Sequence, residues 1–432
     1  MDAAVLEVYG LVRDERWLAD RALERVLRRE RRLWASERRA VAESLYGLVR
    51  WQGQLEWLLS GGGYGEPRPR RDPAALYAAW LARFGGLAPD AAARRLGVPP
   101  GALAGLSRAE ERLSALADPV ERLAAEVSLP AWIAARFASE LGLEEARVLA
   151  QAMNRRAPLT VRANLLRAGR DELRERLAAE GVAAGPTPHS PWGLTLDGHA
   201  NAFALDAFRH GLFEIQDEGS QLVVLACGAR PGWTVVDACA GAGGKSLALA
   251  MEMGNRGSLH ALDVDAGRLD EARRRARRAG VHNLRTRVVP AAGAEAEAAA
   301  ADLAGKADLV LVDAPCSGLG TLRRKPDARW RLDPGDPERF AAAQRELSAR
   351  FARLVRPGGR LVYATCAIGR AENEAVAAFL AAEGPGLRPL PLERTLGAER
   401  ARALGAEGHL LRLLPHRHGT DGFFVAAFER AG

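Results

Sequence analysis

Four short apolar segments in the second half of the chain alternate with helical segments, and this alternation constrains the fold more than any other feature. The segments are TVVDA (234–238), LHALDV (259–264), DLVLVDA (308–314) and RLVYAT (360–365). Short apolar runs are typical of strands buried on both faces, and strands that alternate with helices form a parallel, doubly wound sheet. We therefore expect an α/β fold from residue 232 onward.

The first half of the chain predicts two further regions. Residues 1–127 show apolar positions at i, i+3 and i+4 and indicate an all-helical domain, interrupted by a glycine- and proline-rich loop at 61–73. Residues 128–215 combine a helix near 131–153 with shorter extended runs, and they predict a small α+β module. The α/β region then forms a third domain, residues 216–432.

The composition excludes several classes of protein. With 48% hydrophobic and 27% charged residues, the chain is globular and neither disordered nor fibrous. No run of 18 apolar residues predicts a membrane span, and the first residues do not resemble a secretory signal. The four cysteines form no CxxC pair, so we expect free thiols, no metal and a cytoplasmic location. We expect a monomer.

The positive charge is concentrated in the C-terminal half. The chain carries a net charge of +7, and residues 231–432 hold 30 basic against 24 acidic side chains. A positive excess beside a candidate active site favours a polyanionic substrate such as nucleic acid, because phosphate neutralisation supplies affinity that does not depend on sequence.

A glycine-rich turn joins the first strand to a helix in TVVDACAGAGGKS (234–246). Gly241, Gly243 and Gly244 let the backbone approach a ligand, and amide groups at a helix start attract a carboxylate or phosphate. The turn is neither a GxGxxG motif nor a P-loop, because Cys239 stands where a P-loop needs glycine. The pattern predicts a nucleoside-type cofactor, and a structural turn without a ligand is the alternative.

Asp263 ends the second strand and lies 26 residues after Asp237. A carboxylate at this place accepts hydrogen bonds from ribose hydroxyls in proteins of this fold class. No phosphate-specific basic cluster accompanies the turn, so S-adenosylmethionine fits at least as well as a dinucleotide. The alternative is that Asp263 caps the helix predicted at 266–279.

The ends of two further strands carry thiols. The segment DLVLVDAPCSGLG brings Asp313 and Cys316 to the carboxyl end of one strand, where ligands bind in α/β sheets, and Cys366 follows the next strand. The two thiols can therefore converge, and buried structural cysteines are the alternative. A basic run and an aromatic residue after the first thiol predict contacts to RNA, namely Arg323, Arg324, Lys325 and Trp330.

Two thiols and one carboxylate suit chemistry on a pyrimidine ring. Carbon 5 of cytosine becomes nucleophilic once a thiolate has added to carbon 6. A carboxyl group near ring nitrogen 3, a role that Asp313 can fill, stabilises this adduct. A second thiol can assist release, but sequence spacing alone does not rank Cys366 over Cys316 as the attacking group.

These motifs resemble the RNA 5-methylcytosine methyltransferase family of the RsmB and Nop/Sun type. DAPCSGLG, YATC, VVDACAGAGGK and LLPHRHGTDGFFVAAF carry the resemblance, with PLTVRANLL and FEIQDEGSQL before the cofactor region, over about residues 130–430. ERRAVAESLYGLVR resembles, more weakly, the NusB-like domain at the front of the RsmB branch. The resemblance implies a Rossmann-like methyltransferase sheet, preceded by a small α+β RNA-binding module and an all-helical NusB-like RNA-binding domain.

The resemblance also implies roles for individual residues. Cys366 would be the nucleophile, Cys316 would promote release of the methylated RNA, and Asp313 would contact the base near the cofactor methyl group. S-adenosyl-L-methionine would be held by Asp263, by Asp313 and by a further set of residues: Cys239, Ala240, Gly241, Ala242, Gly243, Gly244, Lys245 and Arg268.

Three positions depart from the family pattern. Ala242 replaces a proline, and Ala367 replaces the serine that usually follows the cysteine. The family commonly has a Gly-Asp pair that contacts the adenine, and the matching positions, near Ala291 and Ala292, carry no carboxylate. This last departure predicts weaker cofactor binding.

The leading hypothesis is an S-adenosylmethionine-dependent RNA cytosine-5 methyltransferase that acts on small-subunit rRNA. The same chemistry on tRNA is one alternative. A catalytically weak RNA-binding factor of ribosome assembly is another, and it is motivated by the missing carboxylate.

Overall fold

The computed structural model describes residues 1–60, 63–65, 70–198 and 200–432. Of the loop predicted at 61–73, residues 61–62 and 66–69 lie outside the described residues. The described chain packs as two units: unit 1 comprises Met1–Arg156 and Thr321–Pro334, and unit 2 comprises Ala157–Gly320 and Gly335–Gly432. No helix within the described ranges is long and apolar enough to cross a membrane.

The helices that precede the first strand are α1 (Asp2–Arg13), α2 (Ala19–Arg29), α3 (Ala35–Ser60), α4 (Pro73–Arg83), α5 (Pro89–Leu96), α6 (Ala109–Ser114), α7 (Pro119–Val127), α8 (Ala131–Leu141) and α9 (Leu143–Asn154). The later helices are α10 (Arg170–Ala179), α11 (Asp206–Arg209), α12 (Glu218–Cys227), α13 (Gly244–Glu252), α14 (Ala266–Ala279), α15 (Ala294–Ala298), α16 (Ala328–Arg331), α17 (Asp336–Ala352), α18 (Glu374–Glu383), α19 (Glu393–Leu396), α20 (Ala398–Ala403) and α21 (Pro415–His418).

The strands are β1 (Leu159–Ala163), β2 (Ala184–Pro186), β3 (Gly193–Leu196), β4 (Phe213–Ile215), β5 (Thr234–Asp237), β6 (Ser258–Asp263), β7 (Leu284–Val288), β8 (Ala307–Asp313), β9 (Val355–Thr365), β10 (Leu387–Pro389), β11 (Leu410–Leu413) and β12 (Phe423–Arg430).

Unit 1 is helical and has its own apolar core. Helices α1 to α5 bury one face each, through residues such as Val8, Val26, Leu48 and Leu76. The helix predicted from Asp72-Pro73 is present as α4, and the Asp72 carboxylate accepts a hydrogen bond from the Ala74 amide as its N-cap. The prediction of a helical N-terminal region is therefore confirmed.

The prediction of a single helix near 131–153 is wrong in one respect, because two helices, α8 and α9, occupy these residues. Gly142 separates them with a φ of 81°, a left-handed backbone conformation that cannot continue an α-helix. Both helices pack within unit 1, although the sequence analysis placed their residues in the α+β module.

Unit 2 contains two sheets. The smaller is antiparallel with the order β2-β3-β1-β4, and it packs on α10 through Leu173 and Leu177. The larger has the order β10-β12-β9-β8-β5-β6-β7, with β11 paired to β12. The five strands β5 to β9 are parallel, whereas β12 runs antiparallel to β9.

The larger sheet has the doubly wound architecture that the apolar segments predicted. Its central strands β5, β6, β8 and β9 are buried along most of their length, and separate apolar cores cover the two sides of the sheet. The strand order reverses between β5 and β8, so the switch point lies where the chain leaves these two strands at their carboxyl ends. The α/β prediction is confirmed, and the fold places the candidate site at this edge.

Candidate active site

Three predicted functional residues, Asp263, Asp313 and Cys366, lie at the same edge of the larger sheet, and Asp237 lies there with them. Asp237, Asp263 and Asp313 are the last residues of β5, β6 and β8, and Cys366 directly follows β9. The register pairs Asp237 with Leu311 in β8, and Asp313 with Ala364 in β9. Neighbouring parallel strands thus end at similar heights and bring their polar ends together beside the switch point.

The structure brings the two predicted thiols into contact. The Sγ atoms of Cys316 and Cys366 lie 3.4 Å apart, and both residues are reduced and partly buried. The hydrogen bond with Cys366 and burial raise the pKa of Cys316 well above its usual value. Cys316 is therefore held as a neutral thiol that can donate a hydrogen bond to a negatively charged neighbour.

Backbone contacts between three loops hold the thiols in place. The Gly320 amide donates to the carbonyl of Cys366 at 2.8 Å, and the Gly422 amide donates to the carbonyl of Gly320 at 2.8 Å. A Cβ atom on Gly320 would lie 2.3 Å from the Gly422 oxygen and 2.7 Å from the Cys366 oxygen. The close approach of these loops therefore requires glycine at 320.

A buried carboxylate supports the loop of Cys316 from behind. Glu372 is fully buried, and it accepts hydrogen bonds from the amide of Ser317 at 2.8 Å and from its hydroxyl at 2.6 Å. Gln344 donates to Glu372 at 3.2 Å and to the Pro315 carbonyl at 2.9 Å. The residues on both sides of Cys316 are thereby fixed.

Sequence reasoning missed Glu372 and Gln344. Glu372 lies in the segment AENEAV, which by its pattern resembles an ordinary polar helix start. Gln344 is on α17, 28 positions earlier in the chain. Only the folded chain shows that they converge, and the closest sequence signal is the position of Glu372 six residues after the second thiol.

Lys245 and Asp313 form an ion pair beside the thiols. The Lys245 ammonium donates to Oδ2 of Asp313 at 2.7 Å, and it lies 5.2 Å from the centre of the Phe423 ring. Burial alone would lower the pKa of Lys245, but the charge and hydrogen bond of Asp313 and the nearby Cys366 raise it. Lys245 thus stays protonated, and its ammonium is close enough to interact electrostatically with Cys366.

The glycine turn, the carboxylate of Asp237 and the Lys245–Asp313 pair line one cavity of about 280 Å³. It is bounded by Ile215, Gln216, Asp217, Ser220, Asp237, Cys239, Ala240, Gly244, Lys245, Arg275 and Asp313. Oδ1 of Asp237 is buried and has no hydrogen-bond partner within the described chain. Burial raises the pKa of Asp237 to about 7.

Asp263 holds the glycine turn against its own strand. One carboxylate oxygen accepts from the Gly241 amide at 2.8 Å, and the other accepts from the Asp265 amide at 2.9 Å. The alternative that Asp263 caps helix α14 is wrong, because Asp265 is the N-cap and accepts from the Arg268 amide. Each oxygen keeps a lone pair that can accept a ribose hydroxyl.

The other residues of the predicted cofactor set occupy different environments. The carbonyl of Ala242 accepts a hydrogen bond from Arg275 at 2.8 Å, and burial raises the pKa of Cys239 well above its usual value. Arg268 is largely exposed and lies 3.6 Å from Asp265 on the surface of α14. Near the missing adenine-side carboxylate, Arg350 donates to the carbonyl of Ala291 at 2.8 Å.

The predicted RNA-contact residues belong to unit 1. The Trp330 indole donates to the Val49 carbonyl at 2.6 Å, and its ring packs against the helical core. Arg323 is buried, whereas Lys325 is exposed. These observations argue against direct RNA contact by the two side chains, because Trp330 packs and donates inside the unit and Arg323 is buried. Contact by Arg324 and Lys325 stays a prediction.

Sequence reasoning also missed Arg329, which anchors this segment. Its guanidinium is fully buried and donates to the carbonyls of Arg50 and Ser128 and to Oδ1 of Asn154, at 3.1–3.3 Å. Burial lowers its pKa to about 9. Arg329 thus helps, together with the Trp330 indole, to hold residues 321–334 within unit 1.

A doubly wound sheet with a glycine turn, a carboxylate at the next strand end and paired thiols at the switch point defines a Rossmann-like group-transfer enzyme. The family model described as 16S rRNA methyltransferase RsmB/F matches residues 224–429, and the model described as the RsmF/B-like ferredoxin-like domain matches residues 129–202. The chain belongs to the RsmB/F methyltransferase family, as the motifs indicated. It is a methyltransferase.

Similar proteins support this assignment over most of the chain. A probable ribosomal RNA small subunit methyltransferase B from Bacillus subtilis is 36% identical over 74% of this chain and 70% of its own length. A relative with the same description from Synechocystis is 31% identical over 95% of both chains. The crystal structure of PH0851 covers 99% of this chain and 98% of its own, at 27% identity and a TM-score of 0.77.

The described residues contain no group of three or more histidine, cysteine, aspartate or glutamate side chains arranged to hold a metal ion. The absence of metal and the monomeric state stay predictions.

Proposed function

We propose that this protein transfers a methyl group from S-adenosylmethionine to carbon 5 of a cytosine in small-subunit rRNA. The observation that carries the proposal is the pair of thiols 3.4 Å apart, next to the Lys245–Asp313 ion pair at the switch point. The printed descriptions of the relatives favour small-subunit rRNA over tRNA as the substrate.

The cavity at the end of β5 suits S-adenosylmethionine. The carboxylates of Asp217, Asp237 and Asp313 match its cationic groups, and the unpaired oxygen of Asp237 offers an acceptor. A Cβ atom on Gly244 would meet no atom closer than 4.0 Å, so the start of α13 is open to a ligand. When bound, this cofactor supplies an electrophilic methyl group on a sulfonium.

Cys366 is the nucleophile in this proposal. Its thiolate forms a bond to carbon 6 of cytosine. The electrons of the carbon 5–carbon 6 double bond then move toward carbon 5, which becomes nucleophilic. The Lys245 ammonium stabilises negative charge on the attacking sulfur, and the hydrogen bond with Cys366 and burial raise the pKa of Cys316. Asp313 faces the base in this proposal, and in its protonated form it would donate a hydrogen bond to ring nitrogen 3, where negative charge develops during the addition.

Release reverses the addition. Carbon 5 loses its proton, the double bond re-forms, and the bond between carbon 6 and the Cys366 sulfur breaks. The Cys316 thiol, 3.4 Å away, donates a hydrogen bond to the departing thiolate and lowers the cost of its charge. In balance, the methyl group would pass from the sulfonium to carbon 5, the sulfonium would be left as the neutral thioether S-adenosylhomocysteine, and the carbon 5 proton would be released to solvent.

The test is transfer of labelled methyl groups to unmodified small-subunit rRNA. We expect transfer by the natural protein, none by Cys366→Ala, and accumulation of a covalent RNA adduct with Cys316→Ala that migrates slowly in a denaturing gel. Label with both the natural protein and Cys366→Ala would move the nucleophile to Cys316. Label on tRNA alone would show that tRNA, and not rRNA, is the substrate. If calorimetry detected no S-adenosylmethionine binding at millimolar concentration, the assembly-factor function would be favoured.

A further inference from the structure

A pocket in unit 1 lies outside the methyltransferase site. Its volume of about 440 Å³ falls within the range of roughly 300–1,000 Å³ that is typical of small-molecule sites. Helix α3, the end of α4 and the last turn of α9 bound it. The lining residues are Trp51, Gln54, Arg83, Phe84, Glu110, Leu113, Glu126, Val127, Gln151, Asn154 and Arg155.

An aromatic pair forms one wall of this pocket. The rings of Trp51 and Phe84 are stacked, with centroids 4.6 Å apart and an angle of 21° between their planes. Phe84 is 39% exposed, and Arg83 lies over its ring at 5.6 Å. Trp51 is half-buried, so the exposed Phe84 ring offers the surface on which a planar group can continue the stack.

The polar groups of the pocket divide into those already paired and those available to a ligand. The guanidinium of Arg83 donates to Gln54 at 3.0 Å and forms an ion pair with Glu110 at 2.9 Å. Glu126 is paired with Arg147. The side chains of Gln151 and Arg155 make no hydrogen bond or ion pair within the described part of the chain, although both line the pocket.

The available groups therefore present an aromatic surface, an amide that both donates and accepts, and one uncompensated positive charge. A small anion alone would leave the aromatic wall unused, and an apolar side chain of a protein would leave Gln151 and Arg155 unpaired. An unstacked nucleotide uses all three, because its base has a flat face and a polar edge and its phosphate carries one negative charge.

We propose that this pocket binds one unstacked nucleotide of a single-stranded RNA segment, with the base stacked on the Trp51–Phe84 pair and held at its edge by Gln151. Arg155 contacts the phosphate. The inference rests on the RNA substrate proposed above and extends it to a second contact point in the helical unit, independent of the thiols and the cofactor cavity.

The first test measures binding of the full-length protein to a fluorescein-labelled single-stranded RNA of about ten nucleotides, a length within the usual site sizes. Phe84→Ala removes the stacking surface and raises Kd about tenfold. Phe84→Tyr keeps the ring and stays within about twofold of the natural protein. A natural Kd for Phe84→Ala, or equal losses for both variants, overturns the proposed stack.

The second test separates the phosphate contact from general electrostatic attraction. Arg155→Ala reduces the slope of log K against log salt concentration by about 0.7, the value for one phosphate on a single strand, whereas Phe84→Ala leaves the slope unchanged. Arg94, an exposed residue of α5 in the same unit with no paired group in the described chain, provides the matched control Arg94→Ala. A slope change for Arg94→Ala as large as that for Arg155→Ala overturns the phosphate assignment.

Methyl transfer distinguishes failure of this inference from failure of the proposed function. Phe84→Ala raises KM for rRNA about tenfold and leaves kcat and the KM for S-adenosylmethionine within about twofold. If the natural protein methylates rRNA but Phe84→Ala has natural KM and Kd values, the pocket assignment alone is wrong. If the natural protein methylates no rRNA while Phe84→Ala loses RNA binding, the proposed substrate is wrong and the pocket remains an RNA site.

Discussion

Replacing Glu372 by alanine tests how the loop of Cys316 is held. The carboxylate is fully buried and accepts both Ser317 hydrogen bonds, at 2.8 and 2.6 Å. Alanine leaves the buried amide and hydroxyl of Ser317 without partners, whereas glutamine keeps an acceptor of the same shape. Gln344 loses one bond in the alanine variant but keeps its bond to the Pro315 carbonyl at 2.9 Å.

The expected loss of stability follows from these contacts. Each buried donor left unsatisfied costs about 1–3 kcal/mol, so the two Ser317 donors together cost about 2–6 kcal/mol. Removal of a buried charge recovers part of this loss, since the carboxylate no longer has to be desolvated. We expect Glu372→Ala to lower the free energy of unfolding by about 3 kcal/mol and Glu372→Gln to lower it by less than about 1 kcal/mol.

Urea denaturation followed by circular dichroism measures this difference. Added S-adenosylmethionine identifies the transition of the catalytic unit, because a ligand stabilises the unit that binds it. The slope m of that transition should stay constant, so that a midpoint shift reports stability. Equal midpoints for Glu372→Ala and the natural protein would refute the reasoning, as would equal losses for the alanine and glutamine variants.

The same pair of variants tests the electrostatic effect on Cys316. The hydrogen bond with Cys366 and burial are the larger causes of the raised pKa of Cys316, and the charge of Glu372 adds to them. Glu372→Gln should therefore move the alkylation profile of Cys316, measured in a Cys366→Ser background, to lower pH. An unchanged profile would show that this charge does not reach the thiol.

Three further predictions concern the same edge of the sheet. Burial raises the pKa of Asp237 from 3.8 to about 7, so the folded state binds this proton more tightly than the unfolded state and the free energy of unfolding falls as pH rises from about 4 to 7. Asp237→Asn should therefore stabilise the cofactor-free protein by about 1–4 kcal/mol at pH 8 and have no such effect at pH 4. Equal shifts of the unfolding midpoint at both pH values would contradict this. Gly320→Ala should lower the free energy of unfolding by about 1–3 kcal/mol and abolish most of the methyl transfer, because the added Cβ would lie 2.3 and 2.7 Å from backbone oxygens. Gly335→Ala, whose Cβ would point into open space, serves as the control in unfolding and activity assays. Lys245→Met removes the cation paired with Asp313 at 2.7 Å and should lower kcat about 100-fold. The charge-conserving Lys245→Arg should lower kcat less, and equal kcat values for the two variants would show that the charge is not needed.

The positions of four strands, β5, β6, β8 and β9, could be predicted because each of them is a short apolar run. The segments DLVLVDA and RLVYAT correspond to the buried parts of β8 and β9, and the helix predicted at 266–279 has the bounds of α14. A parallel strand buried on both faces must be apolar along its whole length, so its own few residues are enough to identify it in the sequence. The break at Gly142 was missed because isolated glycines occur inside helices, and only the φ of 81° reveals the end of α8.

The contacts of the active site were less accessible to sequence reasoning. The strand ends of Asp313, Cys316 and Cys366 were predictable, but their partners were not, because Glu372 and Gln344 reach the thiol loop from other parts of the chain. The cap of α14 was assigned to Asp263 in one reading, and two aspartates separated by one residue cannot be distinguished without the backbone geometry that selects Asp265.

Sequence alone determined the alternation of apolar strands and helices, the glycine turn and the two thiols at strand ends, since each depends on neighbours within a few residues. Tertiary structure decided which groups meet: the 3.4 Å contact of the thiols, the Lys245–Asp313 pair and the packing of Trp330 against the helical core. Local pattern reflects backbone preference and burial, which act residue by residue. Distances between groups 50 or more positions apart in the sequence depend on the order of the strands in the sheet and on the packing of the loops that connect them.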